Sequence, residues 1–408
     1  MFMKKIVVIG GGVSGLIAAI HAKNKNNQVI ILERNNTCGK KILVTGNGRC
    51  NYSNSNQDIN HYHSSSSDNL ESIINQKNIS AFLDFYKSIG IIPKVKNGYY
   101  YPYSNQAVTV QQALLRKVSE LDIDVKTNTY VDDIAVNGNS FKVKTNNDIF
   151  YADIVIMACG GKSYSKLGTD GNGYQLLKKL GHNIIPVVPA LTQIKVLENI
   201  KDLTGVRSEV SITLIEDGKT IKSEIGEVQF TDYGISGICS MQLSKYISYG
   251  IMDKKCEKIV INFVSDIAKS KEEFIKFIES NNWLDFEVRS LLDSLLNYKV
   301  TNYILKETKI AGKVKIRNLK DEEINALINC LINFTLTATG TNTFDNSQVS
   351  AGGVDLKEID LTTMESKIIP NLYIVGEIVD VDGDCGGYNI TFASIGGMLA
   401  GMEVNKND

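Results

Sequence analysis

Lys4-Lys5-Ile6-Val7-Val8-Ile9-Gly10-Gly11-Gly12-Val13-Ser14-Gly15-Leu16-Ile17-Ala18-Ala19-Ile20-His21-Ala22, completed by Gln28-Val29-Ile30-Ile31-Leu32-Glu33-Arg34, is the stretch from which the fold is read. A short apolar run, a glycine turn, a helical pattern and a second apolar run ending in an acid make a βαβ unit. Gly10, Gly12 and Gly15 fit G-x-G-x-x-G. Gly10 makes the tight turn, Gly12 lets a pyrophosphate approach the backbone, and Gly15 lets the helix pack closely on the strand. The helix start at Val13 and Ser14 offers free N–H groups and a positive dipole end to phosphates. Glu33 is the candidate acceptor for the adenosine ribose, with Arg34 beside it. This stretch predicts dinucleotide binding and leaves FAD and NAD both open.

Working outward, the chain has 408 residues, enough for two or three domains with buried cores. Apolar content of 43% and charged content of 22% are ordinary for a globular protein. A formal net charge of −1 gives no strong field toward nucleic acid or anionic membrane. The seven cysteines show no C-x-x-C or other metal spacing, so they read as reduced thiols and no metal is expected. Lys4 and Lys5 before an uncharged run imitate a secretory signal, but the three central glycines and the βαβ continuation argue against it. No other segment is long and apolar enough to span a bilayer. The expectation is a cytoplasmic protein without a membrane or nucleic-acid partner. The sequence assigns no oligomeric state.

Downstream of Glu33 lies Gly39-Lys40-Lys41-Ile42-Leu43-Val44-Thr45-Gly46-Asn47-Gly48-Arg49-Cys50-Asn51. Its cations could neutralise a pyrophosphate and its glycines allow close backbone approach, unless it is a solvated basic loop. It resembles the motif of the aminoacetone oxidase-like family of FAD-dependent flavoproteins, which also includes reductases of dehydro bile acids. The resemblance extends over nearly the whole chain. It implies a discontinuous, Rossmann-like α/β FAD-binding domain, residues 1–189 and 346–408. A β-rich domain, 190–265 and 335–345, would be inserted in it and would carry a helical subdomain, 266–334.

The resemblance also implies roles. Lys41, Thr45, Gly46, Gly48, Arg49, Cys50 and Asn51 would lie along the FAD and reach the isoalloxazine, and the backbone at Val131 would contact adenine. Cys159 and Gly160, in an Ala-Cys-Gly-Gly turn where threonine is usual for Cys159, would close over the ADP half. Gly376 and Glu377, with Asp380 beside them, would hold the ribityl chain. Gly386, Gly387, Tyr388, Asn389 and Ile390 open the final helix against the isoalloxazine, where a helix N-terminus stabilises negative charge on the reduced ring. Cys385 replaces the family's threonine, and Thr391-Phe392-Ala393 replaces its Q-W-A, so an indole contact is missing.

Other segments remain ambiguous on their residues. His61-Tyr62-His63 with the serines to Ser67 reads as a surface segment, since no cysteine or acid cluster completes a metal site. Tyr99-Tyr100-Tyr101-Pro102-Tyr103-Ser104 either lines the flavin's substrate side or plugs the core edge; a similar F-P-x-S in the family leans toward the pocket. Ser236-Gly237 opens a helix whose amides could meet a substrate anion, though simple initiation by serine is the stronger reading. Ser270-Lys271-Glu272-Glu273 is a capping box.

FAD would carry the redox chemistry. No side chain stands out as a general base; Arg49, Asn51, Tyr388 and Asn389 are the polar candidates, with orientation as the expected role. The leading expectation is an oxidase of a small amine such as aminoacetone. The alternative is a reductase of an activated alkene or enone, with NAD(P)H as transient electron donor. A flavin-dependent RNA modifier is the reading from a different class, disfavoured by the near-neutral charge. A redox pair of Cys50 and Cys385 is a further, weaker hypothesis.

Overall fold

The computed structural model describes residues 3–66 and 69–406. Ser67 of the His61–Ser67 segment, and the outermost residues of the expected FAD-binding segments, lie outside them. By its contacts the chain divides into two compact units, Met1–Val188 with Gln348–Asp408, and Pro189–Ser347.

The first unit is built on a parallel sheet. Strand β1 (Lys4–Ile9) leads through the glycine turn into helix α1 (Val13–Ala22) and back into β2 (Asn27–Leu32). β1 is central because Ile6, Val7, Val8 and Ile9 are all buried and both its edges are paired. It runs parallel to β2, with Ile6 opposite Val29 and Ile9 opposite Leu32. On its other edge it runs parallel to Ile154–Met157, with Ile6 opposite Ile154. Leu372–Ile374 joins that strand in parallel, and Asp124–Lys126 extends the β2 side. Two short antiparallel strands, Glu365–Ser366 and Ile359–Asp360, complete a seven-stranded sheet. A parallel sheet buried on both faces accounts for the continuous Val/Ile runs of these strands.

The C-terminal helix Tyr388–Lys406 covers this sheet by lying against α1. Its Gly397 and Gly401 face the backbone of α1: a Cβ at Gly397 would stand 2.3 Å from the Ser14 carbonyl oxygen, and one at Gly401 2.5 Å from that of Ala18. Ser14, Ala18 and Ala22, one turn apart, offer the small face that permits the approach. Close backbone contact thus ties the end of the chain to the helix that starts it.

The second unit is a closed antiparallel barrel of six strands, in the order Ile194–Val196, Gly234–Ser236, Lys219–Phe230, Arg207–Glu216, Glu257–Asn262 and Phe334–Thr341. Ile194 pairs with Thr341 to close it. Between the last two strands lie four helices, Lys271–Ser280, Val288–Leu295, Tyr298–Thr308 and Asp321–Ile332, sharing one apolar core with the barrel. Ser270 caps the first of them by accepting from the Glu273 amide at 3.3 Å, while Glu273 reaches back one residue further than a capping box, to the Lys269 amide. Trp283–Leu296 is not one continuous helix but a short turn, Trp283–Asp285, followed by a helix from Val288.

Candidate functional site

The β1–α1 turn has the shape its glycines predict. Gly10 has a φ of +104°, and a Cβ on Gly15 would stand 1.9 Å from the Gly10 carbonyl oxygen. Gly12 precedes α1, no side chain caps the helix, and a Cβ there would meet nothing within 4 Å. The amides of Val13 and Ser14 therefore begin the helix beside open space. Glu33 is 6% exposed and bonds back onto this turn: its Oε2 accepts from the Gly11 amide at 2.8 Å. Its Oε1 accepts from the amide and side-chain nitrogens of Asn35 at 2.7 and 2.8 Å. Gly11 and Asn35 were not singled out in the sequence, because the motif names only the flanking glycines and the acid.

Arg34 pairs with Asp170 at 2.7 Å and lies over the Tyr130 ring, 4.9 Å from its centroid. Burial works against ionisation of Asp170, but Arg34 and the Asn172 amide outweigh it and hold the carboxyl below its usual range. Next to them, the carbonyl of Val131 accepts from Asn172 at 3.0 Å. Cys159 lies against the Ile9 carbonyl, and burial pushes its thiol up to about 12. Gly160 follows with a φ of +70°.

Residues 39–51 form a tight turn rather than an open loop. Lys40–Val44 is a short 3₁₀ helix closed by the Thr45 hydroxyl, which donates to the Ile42 carbonyl at 2.7 Å. Gly46 and Gly48 follow in left-handed conformation, with φ of +54° and +78°. Cys50 is fully buried, and burial raises its thiol to about 12. Lys41 reaches Glu377, 336 positions away, at 2.5 Å, and Glu377 also accepts from the Ser350 amide at 2.9 Å. The fold thus brings two candidate residues from opposite ends of the chain into one ion pair. Arg49 bonds the Gly46 carbonyl at 3.2 Å and lies over Tyr101, 5.2 Å from the ring centroid. The Asn51 amide, in the orientation that satisfies its neighbours, donates to the carbonyls of Ser53 and Tyr100.

At the C-terminal end, Gly376 leaves its strand with a φ of +82°. Asp380 is buried and accepts from the Ser65 amide at 3.0 Å and the Ser64 hydroxyl at 3.2 Å. Burial raises its carboxyl above the usual range, against the pull of those bonds. Gly386 and Gly387 carry the chain against Ser53, where a Cβ on Gly387 would be 2.6 Å from the Ser53 carbonyl oxygen. Asn389 clamps Gly383 from both sides, accepting from its amide and donating to its carbonyl, each at 2.8 Å. Ile390 packs half-buried on the main core. Tyr388 stacks on His61 with ring centroids 4.5 Å apart, and burial raises its phenol to about 12.

The His61–His63 segment is not a free surface stretch. Tyr62–His63 pairs antiparallel with Asp382–Gly383. Asp384 bridges both imidazoles, His61 Nδ1 at 3.0 Å and His63 Nε2 at 2.9 Å. Since the Asn56 side-chain nitrogen lies 3.0 Å from His61 Nε2, that nitrogen accepts and Nδ1 donates to Asp384. Among the described residues no cluster of histidine, cysteine and acid side chains is arranged to hold a metal ion. The pairing escaped the sequence reading because Asp384 lies more than 300 residues from its partners. The expected helix after Ser236-Gly237 is a single turn, Ile238–Met241, too short to present an anion-binding N-terminus. No helix among the described residues is long and apolar enough to cross a membrane.

The family profile described as "HI0933-like protein Rossmann domain" matches residues 4–403, and the chain belongs to that family. A 3-dehydro-bile acid delta(4,6)-reductase of Clostridium scindens is 35% identical over 404 residues, 98% of each chain. A ribosomal RNA dihydrouridine synthase of Escherichia coli is 25% identical, over 95% of this chain and 94% of that one. Among solved structures, a 3-ketosteroid delta1-dehydrogenase from Sterolibacterium denitrificans superposes with a TM-score of 0.50 and 10% identity, covering 99% of this chain and 100% of that one, a likeness of fold. The chain is an FAD-dependent oxidoreductase with a Rossmann-type domain. The first unit fits the cofactor: an uncapped helix start beside open space, a buried acid closing β2, and left-handed glycines suited to close backbone approach.

Proposed function

We propose that this HI0933-like flavoprotein reduces a carbon–carbon double bond conjugated to a carbonyl, with NAD(P)H as electron donor. The observation that carries this reading is the 35% identity, over 98% of both chains, to a 3-dehydro-bile acid delta(4,6)-reductase. It favours the enone-reductase alternative over the oxidation of a small amine such as aminoacetone. The more distant relative points to the same chemistry. Dihydrouridine is a uridine whose carbonyl-conjugated C5=C6 bond has been saturated, so both names describe conjugate reduction. A flavin-dependent RNA modifier would therefore differ in substrate rather than in reaction.

When bound, FAD supplies the two-electron hydride chemistry. The residues of the first unit supply binding and orientation. The first amides of α1 would hold the pyrophosphate, Glu33 the adenosine ribose, and the Lys41–Glu377 pair the ribityl side. Val131 and the Cys159–Gly160 turn would border the ADP half. Gly386 to Ile390 would offer helix-start amides to the ring. Asn51 and Asn389 spend their amides on backbone partners, which makes them positioning residues. Tyr388 is protonated at neutral pH, as an ordinary phenol is, and burial raises it further to about 12, so it is no general base. Arg49 lines a cavity and is the polar candidate open to a ligand.

The test is anaerobic. The purified yellow protein is mixed with NADH or NADPH until the absorbance near 450 nm bleaches, then with a 3-oxo-4,6-diene steroid acid or with aminoacetone. Recovery of the colour on adding the dienone, with a product that has one double bond fewer and two hydrogens more, supports the reading. Bleaching of the oxidised protein by aminoacetone, with no response to the dienone, overturns it.

A further inference from the structure

Pro93–Lys96 and Tyr99–Pro102 form a β-hairpin across Asn97-Gly98, both with positive φ (50° and 84°), the backbone that a two-residue hairpin turn requires. Lys94 stands opposite Tyr101 and Lys96 opposite Tyr99. Because side chains alternate along a strand, these four share one face. The other face carries Tyr100, which packs edge-on against the buried Tyr52 at 6.1 Å. Arg49 comes over Tyr101 from the 39–51 turn and completes a cavity of about 330 Å³ with Asn97 and Asn105.

The cavity has an unusual charge balance. Three cations line it and no acid does. Arg49, Lys94 and Lys96 have no carboxylate partner among the described residues, whereas Lys41, Lys126 and Lys179 each pair with one. Two lysines side by side on a short strand repel each other, and Arg49 adds to that repulsion. A solvated basic face would tolerate this. It would not also need two phenol rings forming walls with a guanidinium stacked on one of them. Cations around a small concave space with aromatic walls suit a ligand with both phosphate and a flat ring. A single carboxylate would balance one of the three charges, while a nucleotide phosphate balances more. The volume lies at the low end for small-molecule sites, enough for one nucleotide rather than a nucleic-acid strand.

The cavity also stands beside the candidate ring site. Asn54, on the strand paired with Tyr99, donates to the Gly386 carbonyl at 3.2 Å. Arg49 belongs to the turn whose Lys41 holds Glu377.

We propose that this cavity binds the phosphate-bearing nucleotide half of NAD(P)H, with Lys94, Lys96 and Arg49 on phosphate and Tyr99 and Tyr101 against the base or sugar. The inference rests on the NAD(P)H-dependent reading above and adds the site at which the donor docks.

The probe is 2′,5′-ADP, titrated calorimetrically into the FAD-loaded protein, with inorganic phosphate and cholate as comparison ligands. The double variant Lys94→Gln/Lys96→Gln should weaken 2′,5′-ADP by about tenfold or more while cholate binds as before. Tyr101→Leu should reduce the preference for 2′,5′-ADP over inorganic phosphate. Lys87→Gln, on an exposed helix lysine paired with Asp84, is the control and should change neither. Equal FAD content in all variants shows that they fold. Equal 2′,5′-ADP affinity in wild type and double variant, or a loss confined to cholate, overturns the site. If NADPH still bleaches the double variant at unchanged concentrations, the site falls and the reductase reading stands. If 2′,5′-ADP binds through these lysines but neither nicotinamide nucleotide bleaches the flavin, the donor assignment falls.

Discussion

Gly397 lies so close to Ser14 that a Cβ on it would stand 2.3 Å from the Ser14 carbonyl oxygen. Ser14 belongs to the first turn of α1, the turn expected to face the cofactor pyrophosphate, and Gly397 to the helix that begins beside the expected ring site. Close backbone contact between these two helices therefore sets the spacing of the two expected ends of the site. Gly397→Val must push the helices apart, because the clash is with backbone and not with a flexible side chain. The expected cost is about 1–3 kcal/mol, with a lower Tm and faster loss of FAD on dilution. Thermal unfolding and gel-filtration cofactor retention measure the two effects; an unchanged FAD content at a lowered Tm would uncouple this contact from the site.

Glu33 holds the Gly11 amide inside the glycine turn, so it shapes the turn whether or not a ribose is present. In Glu33→Gln, if the amide nitrogen replaces Oε2, a donor faces a donor in a buried place. A loss of about 1–3 kcal/mol is expected. The effect should appear in the apoprotein as well as in the FAD-loaded protein. A Tm deficit seen only with FAD bound would show that the carboxylate acts through the ligand alone.

Much of the first unit was legible because its signals are local. The glycine turn, the apolar runs of β1 and β2 and the closing acid lie within about thirty residues, and each follows from backbone sterics or period. The aromatic run Tyr99–Tyr103 is visible in the sequence, and alternation around Asn97-Gly98 puts Lys94 and Lys96 on the same face as Tyr99 and Tyr101. The G-x-x-x-G spacing of Gly397 and Gly401 was equally available. What could not be read were pairings across long separations: Asp384 with His61 and His63, or closure of the barrel by Ile194 with Thr341. The β-rich pattern of the second unit shows alternation, which fixes the buried face of each strand but not its neighbour.

The second unit carries a pH-sensitive strain. Glu216 and Glu257 stand directly opposite each other on paired antiparallel strands, and Glu257 is only 1% exposed. Burial, then the facing Glu216 carboxylate, pushes Glu257 from 4.5 up to about 7. Between those values the folded protein holds a proton that the unfolded chain has released. Stability is therefore full below about 4.5 and falls as pH rises through about 7. Calorimetry should show the Tm falling between about pH 5 and 8, with Glu257→Gln flattening the profile and unfolding higher than wild type at pH 8. A Tm that rises over that range in wild type would contradict the pairing.

Burial raises six of the seven thiols, Cys330 among them. Cys38, Cys50 and Cys159 are raised to about 12 and Cys239 and Cys385 to about 11, burial being the first cause in each. Cys256 is exposed. At pH 8 the raised thiols are almost wholly protonated, and the thiolate is the reactive form. Iodoacetamide on the native protein should therefore label Cys256 first, as mass spectrometry of the digest would show, with full labelling only after unfolding. The same protonation argues against Cys50 and Cys385 as a redox pair, since neither supplies the thiolate that exchange requires. Cys50→Ser and Cys385→Ser should keep dienone turnover within about a factor of three of wild type, a factor below the tenfold that 1.4 kcal/mol would represent. Loss of turnover in both variants, at normal FAD content, would restore the pair as a participant in the reaction.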